Sequence, residues 1–336
     1  MRWLKLIFLL LGLALLWVVV ADSDLAVAAD YARQVGWGFA LVLALYFAAF
    51  LVDTFTWQLT LPALPISPKW IVRFFNLRMA GEAFNNITPA ASMGGEPVKA
   101  VLLKKYYGVS YQDGVASLIL ARTINVVALI AFLAIGFVLI LQAPFLTQEY
   151  KLVSGVGLAA FATGIVLFFL VQRFRVTSHV GKLFGRDSVA GWITKTLTAI
   201  SDVEDRLVHF YQQQKTRLLA ALALAFANWV LGAAEVYYVM AFLGNPISWT
   251  DAWIIESIAQ LVRAGTFFIP ASIGAQEGAF ILVGASITGS PAMGLAVAIV
   301  RRLREIIWIA WGLVIFYVMK PDIDPASGTG EGPSSR

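Results

Sequence analysis

The chain has 336 residues, 60% of them hydrophobic and 13% charged, with a formal net charge of +5 and a mean hydropathy of +0.78. Soluble domains are about 45–50% apolar and about 25% charged, so an ordinary soluble fold is excluded and an integral membrane protein is expected. With no Cys there is no disulfide, zinc ribbon, iron–sulfur cluster or thiol nucleophile, and His179 and His209, far apart in the chain, do not make a metal site; no metal or other cofactor is expected.

Residues 4–21 follow Arg2 and carry Lys5, which reads as a first span that starts in the cytoplasm. A cleaved signal peptide, with small residues at Ala26 and Ala28, is the rival reading. Residues 22–35 hold Asp22, Asp24 and Asp30 against Arg33, as suits an outer loop. A second span at about 36–60 returns the chain to the cytoplasm. Residues 61–114 then carry six basic residues (Lys69, Arg73, Arg78, Lys99, Lys104, Lys105) and no uninterrupted stretch long enough to cross. A third span, about 115–141, and a fourth, about 152–172, lead to Arg173, Arg175, Lys182 and Arg186 on the cytoplasmic side.

Residues 188–214 space Val189, Trp192, Ile193, Leu197, Ile200, Val203, Leu207 and Phe210 at helical intervals, with charges on the other faces. The pattern predicts an amphipathic helix, lying in the cytoplasmic interface or packed against a neighbouring loop. A fifth span covers about 218–243, residues 244–292 contain one basic residue, Arg263, and a last span runs from about 293 to 319. Residues 321–336 are rich in Pro, Gly and Ser and too poor in apolar residues to fold, so a disordered cytoplasmic tail is expected behind a single membrane domain of residues 1–320. Both termini are then cytoplasmic, in a bacterial inner membrane.

An internal repeat organises the chain. Pro65-Ile66-Ser67 reappears as Pro246-Ile247-Ser248, and the same offset aligns Ala83 with Ala264, Pro89-Ala90 with Pro270-Ala271, and Glu96 with Glu277. Each copy reads as an apolar helix, a Pro-Ala break, a Glu, a second short helix and a long span with Arg near its start. The first copy carries six basic residues and the second one, and three spans separate them, so the halves, about 36–141 and 218–319, are expected with opposite sidedness. In the first break Pro89 stops a helix, Gly94 and Gly95 allow a reversal, and Pro97 suits a new first turn; in the second the roles fall to Pro270, Gly274 and Gly278. The fold expected is all-α and polytopic: about six spanning helices plus two re-entrant helical hairpins, about 70–106 and 251–289, related by an inverted-topology repeat. Two kinked spanning helices without re-entry are the alternative, and Gly274 and Gly278 at four-residue spacing also suit plain helix packing.

Ionised residues inside spans cost about 2.5–3.5 kcal/mol on insertion scales, so Glu96, Arg122, Glu277 and the group Arg301, Arg302, Arg304, Glu305 call for partners or water. A Glu–Arg pair in each half is the economical expectation, either as a tie between hairpin and span or as a site where Arg meets an anionic headgroup and Glu gates or carries a proton. No Gly-rich phosphate loop, G-x-S-x-G or H-E-x-x-H occurs, which argues against ATP-driven transport by this chain alone.

The pattern Asn85-x-x-Thr-Pro-Ala-x-x-Met-Gly-Gly-Glu-Pro-Val-Lys-Ala100, then Ala116-Ser to Arg122, then Ile269-Pro-Ala-x-Ile-Gly-x-x-Glu-Gly-Ala279, resembles the flippase-like membrane domain of lysylphosphatidylglycerol synthases and their stand-alone relatives. The run Val300 to Trp308 further resembles the hopanoid-biosynthesis-associated branch. The resemblance implies movement of a polar or modified lipid between leaflets, with membrane lipids, and in that branch lipid-biosynthesis enzymes, as partners; no nucleic acid is implied. Carried over, the substrate-binding set is Asn85, Asn86, Glu96, Arg122, Glu277, Arg301 and Arg304. The synthases carry an aminoacyl-transferase domain after the membrane part, whereas only the short stretch 321–336 follows Lys320 here, so lysyl transfer is not expected and the chain reads as a non-enzyme. A non-transporting partner that organises lipid-modifying enzymes and a small-solute or ion transporter stay open. A wide cavity open to the membrane and lined by the Glu and Arg residues marks the lipid route, a filled core the organising role, and a narrow closed polar site the small-solute route.

Overall fold

The computed structural model describes residues 30, 33–87, 94–144, 146–173, 202–203, 205–266, 272 and 274–319, and among them all regular structure is helical. In chain order the helices are α1 (Gly38–Leu59), α2 (Pro68–Ile87), α3 (Gly95–Tyr107), α4 (Tyr111–Gln142), α5 (Gln148–Arg173), α6 (Lys215–Phe242), α7 (Trp249–Gly265), α8 (Ala275–Thr288) and α9 (Pro291–Val318). By length and composition α1, α4 and α6 are long and apolar enough to cross a membrane, and they coincide with three of the expected spans. α9 has 28 residues but carries Arg301, Arg302, Arg304 and Glu305 at its centre. The first span, the breaks at Pro89 and Pro270, Trp192 and the tail lie outside the described residues.

Along most of α5 and on the second half of α9 the side chains turned away from the bundle are apolar. Leu152, Val153 and Val156 on α5, and Val314, Tyr317 and Val318 on α9, are exposed, an arrangement that suits hydrocarbon and not water. Polar groups are instead drawn inward, the reverse of a soluble bundle.

The repeat has a structural counterpart in how helices start and stop. Ser67 and Ser248, one repeat offset apart, stand at the starts of α2 and α7: the Ser67 carbonyl accepts from Ile71 N at 2.9 Å, and Ser248 forms a reciprocal capping box with Asp251. α3 and α8 end at Gly108 and Gly289, both with φ of +72°, a conformation that side chains with a Cβ resist. These glycines are separated by the same offset as the two serines. Packing repeats as well: α2 folds back on α3 and α7 on α8, α2 crosses onto α9 while α7 crosses onto α4, and α1 and α6 lie against each other between the halves.

The glycines of the breaks divide the work differently from the sequence expectation. Gly94 is right-handed, with φ of −64° and ψ of −25°, so it supplies no reversal of its own. Gly95 is required by closeness: a Cβ there would collide with the Gly81 carbonyl oxygen of α2. Gly274 does need its freedom, with φ of +81°, and a Cβ on Gly278 would meet none of the described residues, so neither is a packing notch among the described residues.

Gly312 lets α9 close on α2, where a Cβ would run into the Met79 carbonyl oxygen. Gly312→Ala should therefore lose about 1–3 kcal/mol of stability, read as a lower unfolding midpoint in detergent. Gly164→Ala, on α5 with nothing within 4 Å, should lose none.

Of the expected amphipathic helix, residues 202–203 and 205–213 are described and helical. Leu207 and Phe210 are buried with Leu120, Ile124, Ala221 and Ala225 of α4 and α6, and Arg206 pairs with Asp113 at 2.5 Å. This part therefore packs on the bundle.

Candidate functional site

The centre of α9 brings four charged side chains into the bundle in little more than one turn. Arg301, Arg302, Arg304 and Glu305 are all under 9% exposed, about 15 Å along the helix from its start. They meet carboxylates from three other helices. Arg301 is bidentate on Glu256 of α7, with Nη2 to Oε1 at 3.1 Å, and its Nε lies 3.9 Å from Glu235 of α6. Arg304 pairs with Glu235 and stands 3.8 Å from Glu305. Arg302 bridges Glu305 at 2.9 Å and Glu277 of α8, its Nε to Oε1 at 3.1 Å. Arg263 of α7 reaches Glu305 at 3.9 Å. Four arginines thus face four glutamates.

Charge balance is what makes such a cluster tolerable. An unpaired buried ion costs several kcal/mol, whereas shared guanidinium and carboxylate groups satisfy one another with strong, directional hydrogen bonds. Helix notches make the room: a Cβ on Gly232 of α6 would fall 2.8 Å from Glu256 Oε1. The polar shell is completed by Gln260, which donates to Glu256 at 2.7 Å, and by Tyr46 of α1, whose ring centroid lies 3.6 Å from the Arg304 guanidinium carbon. A cavity of about 10 Å³ opens among Gln276, Glu277, Phe280, Arg301, Arg302 and Glu305, room for a single water. Among the described residues it is a narrow polar site, and not the wide membrane-open cavity expected of a lipid route.

A second polar cluster occupies the first half. Asp53 of α1 pairs with Arg78 of α2 and accepts from Asn125 of α4 at 2.6 Å. Glu96 pairs with Lys99 at 2.7 Å, and the Lys99 stem runs past Gly81, where no side chain blocks it.

The expected Glu–Arg pair forms in the second half, with a different Arg, whereas in the first half Glu96 pairs with a Lys. Glu277 takes Arg302, not Arg301, because it rises from the first turn of α8, where its other oxygen accepts from Gly274 N at 2.7 Å. Arg301, one residue round the helix, turns to α7. Glu96 takes Lys99 of its own helix; Arg122 is exposed on α4, with no ion pair to Glu96 among the described residues. Asn85 caps the second helix of its hairpin, accepting from Gly95 N at 2.7 Å, and donates towards Glu82 and Glu96; Asn86 lies in the same last turn of α2. The structure therefore brings Glu277, Arg301 and Arg304 together, and leaves Asn85, Glu96 and Arg122 elsewhere.

Glu235 and Glu256 complete the network from α6 and α7, beyond the residues singled out from the sequence. Glu235 is the one charged residue between Leu218 and Leu243, so the cost of a charge inside a span already marked it. No group of three His, Asp or Glu among the described residues is placed to hold a metal.

A helical bundle with an apolar outer face and its charges folded inside defines an integral membrane protein. The chain belongs to the Lysylphosphatidylglycerol synthase TM region family, whose model matches residues 3–312. It is similar to a UPF0104 membrane protein of Methanothermobacter thermautotrophicus, 25% identical over 281 residues, 78% of this chain and 79% of the relative. Similar proteins of the same description occur in Pyrococcus horikoshii, 22% identical over 80% of this chain and 82% of the relative, and Methanocaldococcus jannaschii, 20% identical over 81% and 82%. No solved structure matches it.

Proposed function

We propose that this protein is a translocase for a polar, anionic lipid, and that the Arg and Glu network on α9 takes over the headgroup's charge at mid-membrane. The observation that carries the reading is the network itself, eight ionisable side chains held at the centre of an apolar bundle. A fold has no need of so costly a cluster for packing. Guanidinium groups bind carboxylate and phosphate in the same bidentate geometry, so an incoming phosphate replaces a glutamate without leaving an arginine bare. Glu277 is the place for that exchange: its side chain is 24% exposed, against 1–9% for Glu235, Glu256 and Glu305, and it borders the small cavity. The cavity has room for a single water in this structure, and helix movement is needed to widen it.

The paired hairpins support the same reading. α3 and α8, at 13 and 14 residues, are about 20 and 21 Å long, short of the roughly 30 Å hydrocarbon core. We read α2–α3 and α7–α8 as re-entrant hairpins of inverted halves, entering a cytoplasmic membrane from opposite faces, with both termini cytoplasmic. The resemblance of Val300 to Trp308 makes a hopanoid-related lipid one substrate to try.

A second reading, a small-solute or ion route, is favoured by the water-sized cavity at Glu277. Lipid movement in vesicles decides between them. With a fluorescent phosphatidylglycerol analogue as probe, wild-type protein should equilibrate the two leaflets, and Glu277→Gln should abolish this while remaining folded. A folded Glu96→Gln, Glu277→Gln double variant that moves lipid at the wild-type rate would remove these carboxylates from the function.

A further inference from the structure

The contact between α1 and α9 is built differently from the contact between α9 and α2. Against α2, Gly312 lets the backbones close; against α1 the helices stay apart and rings fill the space. Trp311, 41% exposed at the outer surface, has its ring centroid 4.7 Å from that of Trp308, which stacks on Tyr46 at 5.7 Å. Tyr46 carries the Arg304 guanidinium at 3.6 Å. Phe50, edge-on to Trp308 at 5.9 Å, has the Arg78 guanidinium 4.8 Å from its centroid. An aromatic seam therefore leads from the bilayer-facing surface to the buried Arg304 and the half-buried Arg78.

The unused hydrogen-bonding capacity of those seam residues is of one kind. Arg304 Nε, Trp308 Nε1 and Arg78 Nε are buried N–H donors with no acceptor among the described residues. The orphaned acceptor nearby, Glu235 Oε1, lies 3.9 Å from Arg301 Nε on the network side. Buried donors left without a partner are costly, and three of them along one aromatic path are complementary to a group that only accepts. A phosphodiester is such a group: anionic, rich in acceptor oxygens and carried by the common glycerophospholipids. Its source is the bilayer, because the exposed end of the seam is Trp311 among the lipid-facing residues of α9.

We propose that the α1–α9 seam is a binding site for the phosphate of a membrane phospholipid, which enters sideways past Trp311 and is received by Trp308 Nε1, Arg304 and Arg78 while its acyl chains stay in the bilayer. The proposal rests on the lipid-handling reading and names where the headgroup first meets the protein. Rotation of Trp308 and Tyr46 opens the path, and Arg304, shared with Glu235, joins the seam to the network.

The test is binding to the purified full chain in detergent, counted by native mass spectrometry, with phosphatidylglycerol, diacylglycerol of the same chains, and sodium phosphate as probes. Phosphatidylglycerol should bind and diacylglycerol should not. Trp308→Phe, which keeps a ring and removes the donor, should weaken phosphatidylglycerol binding about tenfold; Arg304→Lys, which keeps the charge and removes Nε, should also weaken it. Equal binding of diacylglycerol, or wild-type affinity in both variants, overturns the proposal. Displacement of phosphatidylglycerol by millimolar sodium phosphate overturns the bilayer as source and leaves an anion site fed from water. Lost transport in Glu277→Gln with unchanged lipid affinity in both Trp308→Phe and Arg304→Lys removes the seam and keeps the network's role; retained transport in Glu277→Gln with weakened affinity in both seam variants removes the network's role and keeps the seam.

Discussion

Arg301→Gln should cost about 3–5 kcal/mol of folding stability, because it strips the cation from a carboxylate that has nowhere else to go. Glu256 is 1% exposed and holds Arg301 through both oxygens; after the substitution it retains Gln260 at 2.7 Å and faces no other cation at pairing distance among the described residues. Glu235 would lose its weaker neighbour at 3.9 Å as well, and lean on Arg304 alone. The measurement is reversible denaturation, or the midpoint of thermal unfolding, in detergent. The double variant Arg301→Gln, Glu256→Gln separates a pair from two independent residues: removing both charges should return much of the loss, since an amide pair buries no uncompensated ion. Losses that simply add would show that Arg301 stabilises the bundle by filling space. Glu277→Gln should cost less than Arg301→Gln, because Glu277 is partly exposed and its amide replacement can still accept from Gly274 N.

How far the site was legible follows from what each signal encodes. The span positions of α1, α4 and α6 were readable because a long unbroken run of apolar residues, about 20 of them, has one physical explanation. The repeat was readable at Ser67 and Ser248 because Ser caps a helix at both places, and Gly108 and Gly289 carried the same message unread. Partner choice was not readable. Arg301 and Arg302 are adjacent in sequence but point about 100° apart around α9, and which of them meets Glu277 depends on how α7 and α8 flank that helix. The same limit explains Glu96: a Lys three residues on, at helical spacing, reaches it before any Arg on α4 can. Gly95 and Gly274 show a further limit, since a glycine placed for a close backbone approach and one placed for an unusual dihedral look alike in sequence.

Ser67→Cys and Ser248→Cys should react with a membrane-impermeant maleimide from opposite sides of the membrane, the first from the cytoplasm and the second from outside. The expectation rests on two independent counts. Six basic residues lie in the segment around the first hairpin and one around the second, and positive residues stay with the cytoplasm; separately, α4 and α6 are long and apolar enough to cross, and with α5 as the third crossing of the proposed topology the orientation reverses. The chain has no Cys, so each variant carries a single reactive thiol and the background is silent. Both serines stand at helix starts, and losing a cap costs about 1 kcal/mol, small beside a membrane bundle's packing. Ile66→Cys and Thr250→Cys, at exposed neighbouring positions, repeat the test with both caps intact. Intact cells should label only the second site of each pair, and permeabilised cells both. Labelling of Ser67→Cys and Ser248→Cys from the same side would leave the matched caps and matched helix ends as a parallel repeat, and the two hairpins could not then meet from opposite faces of the membrane.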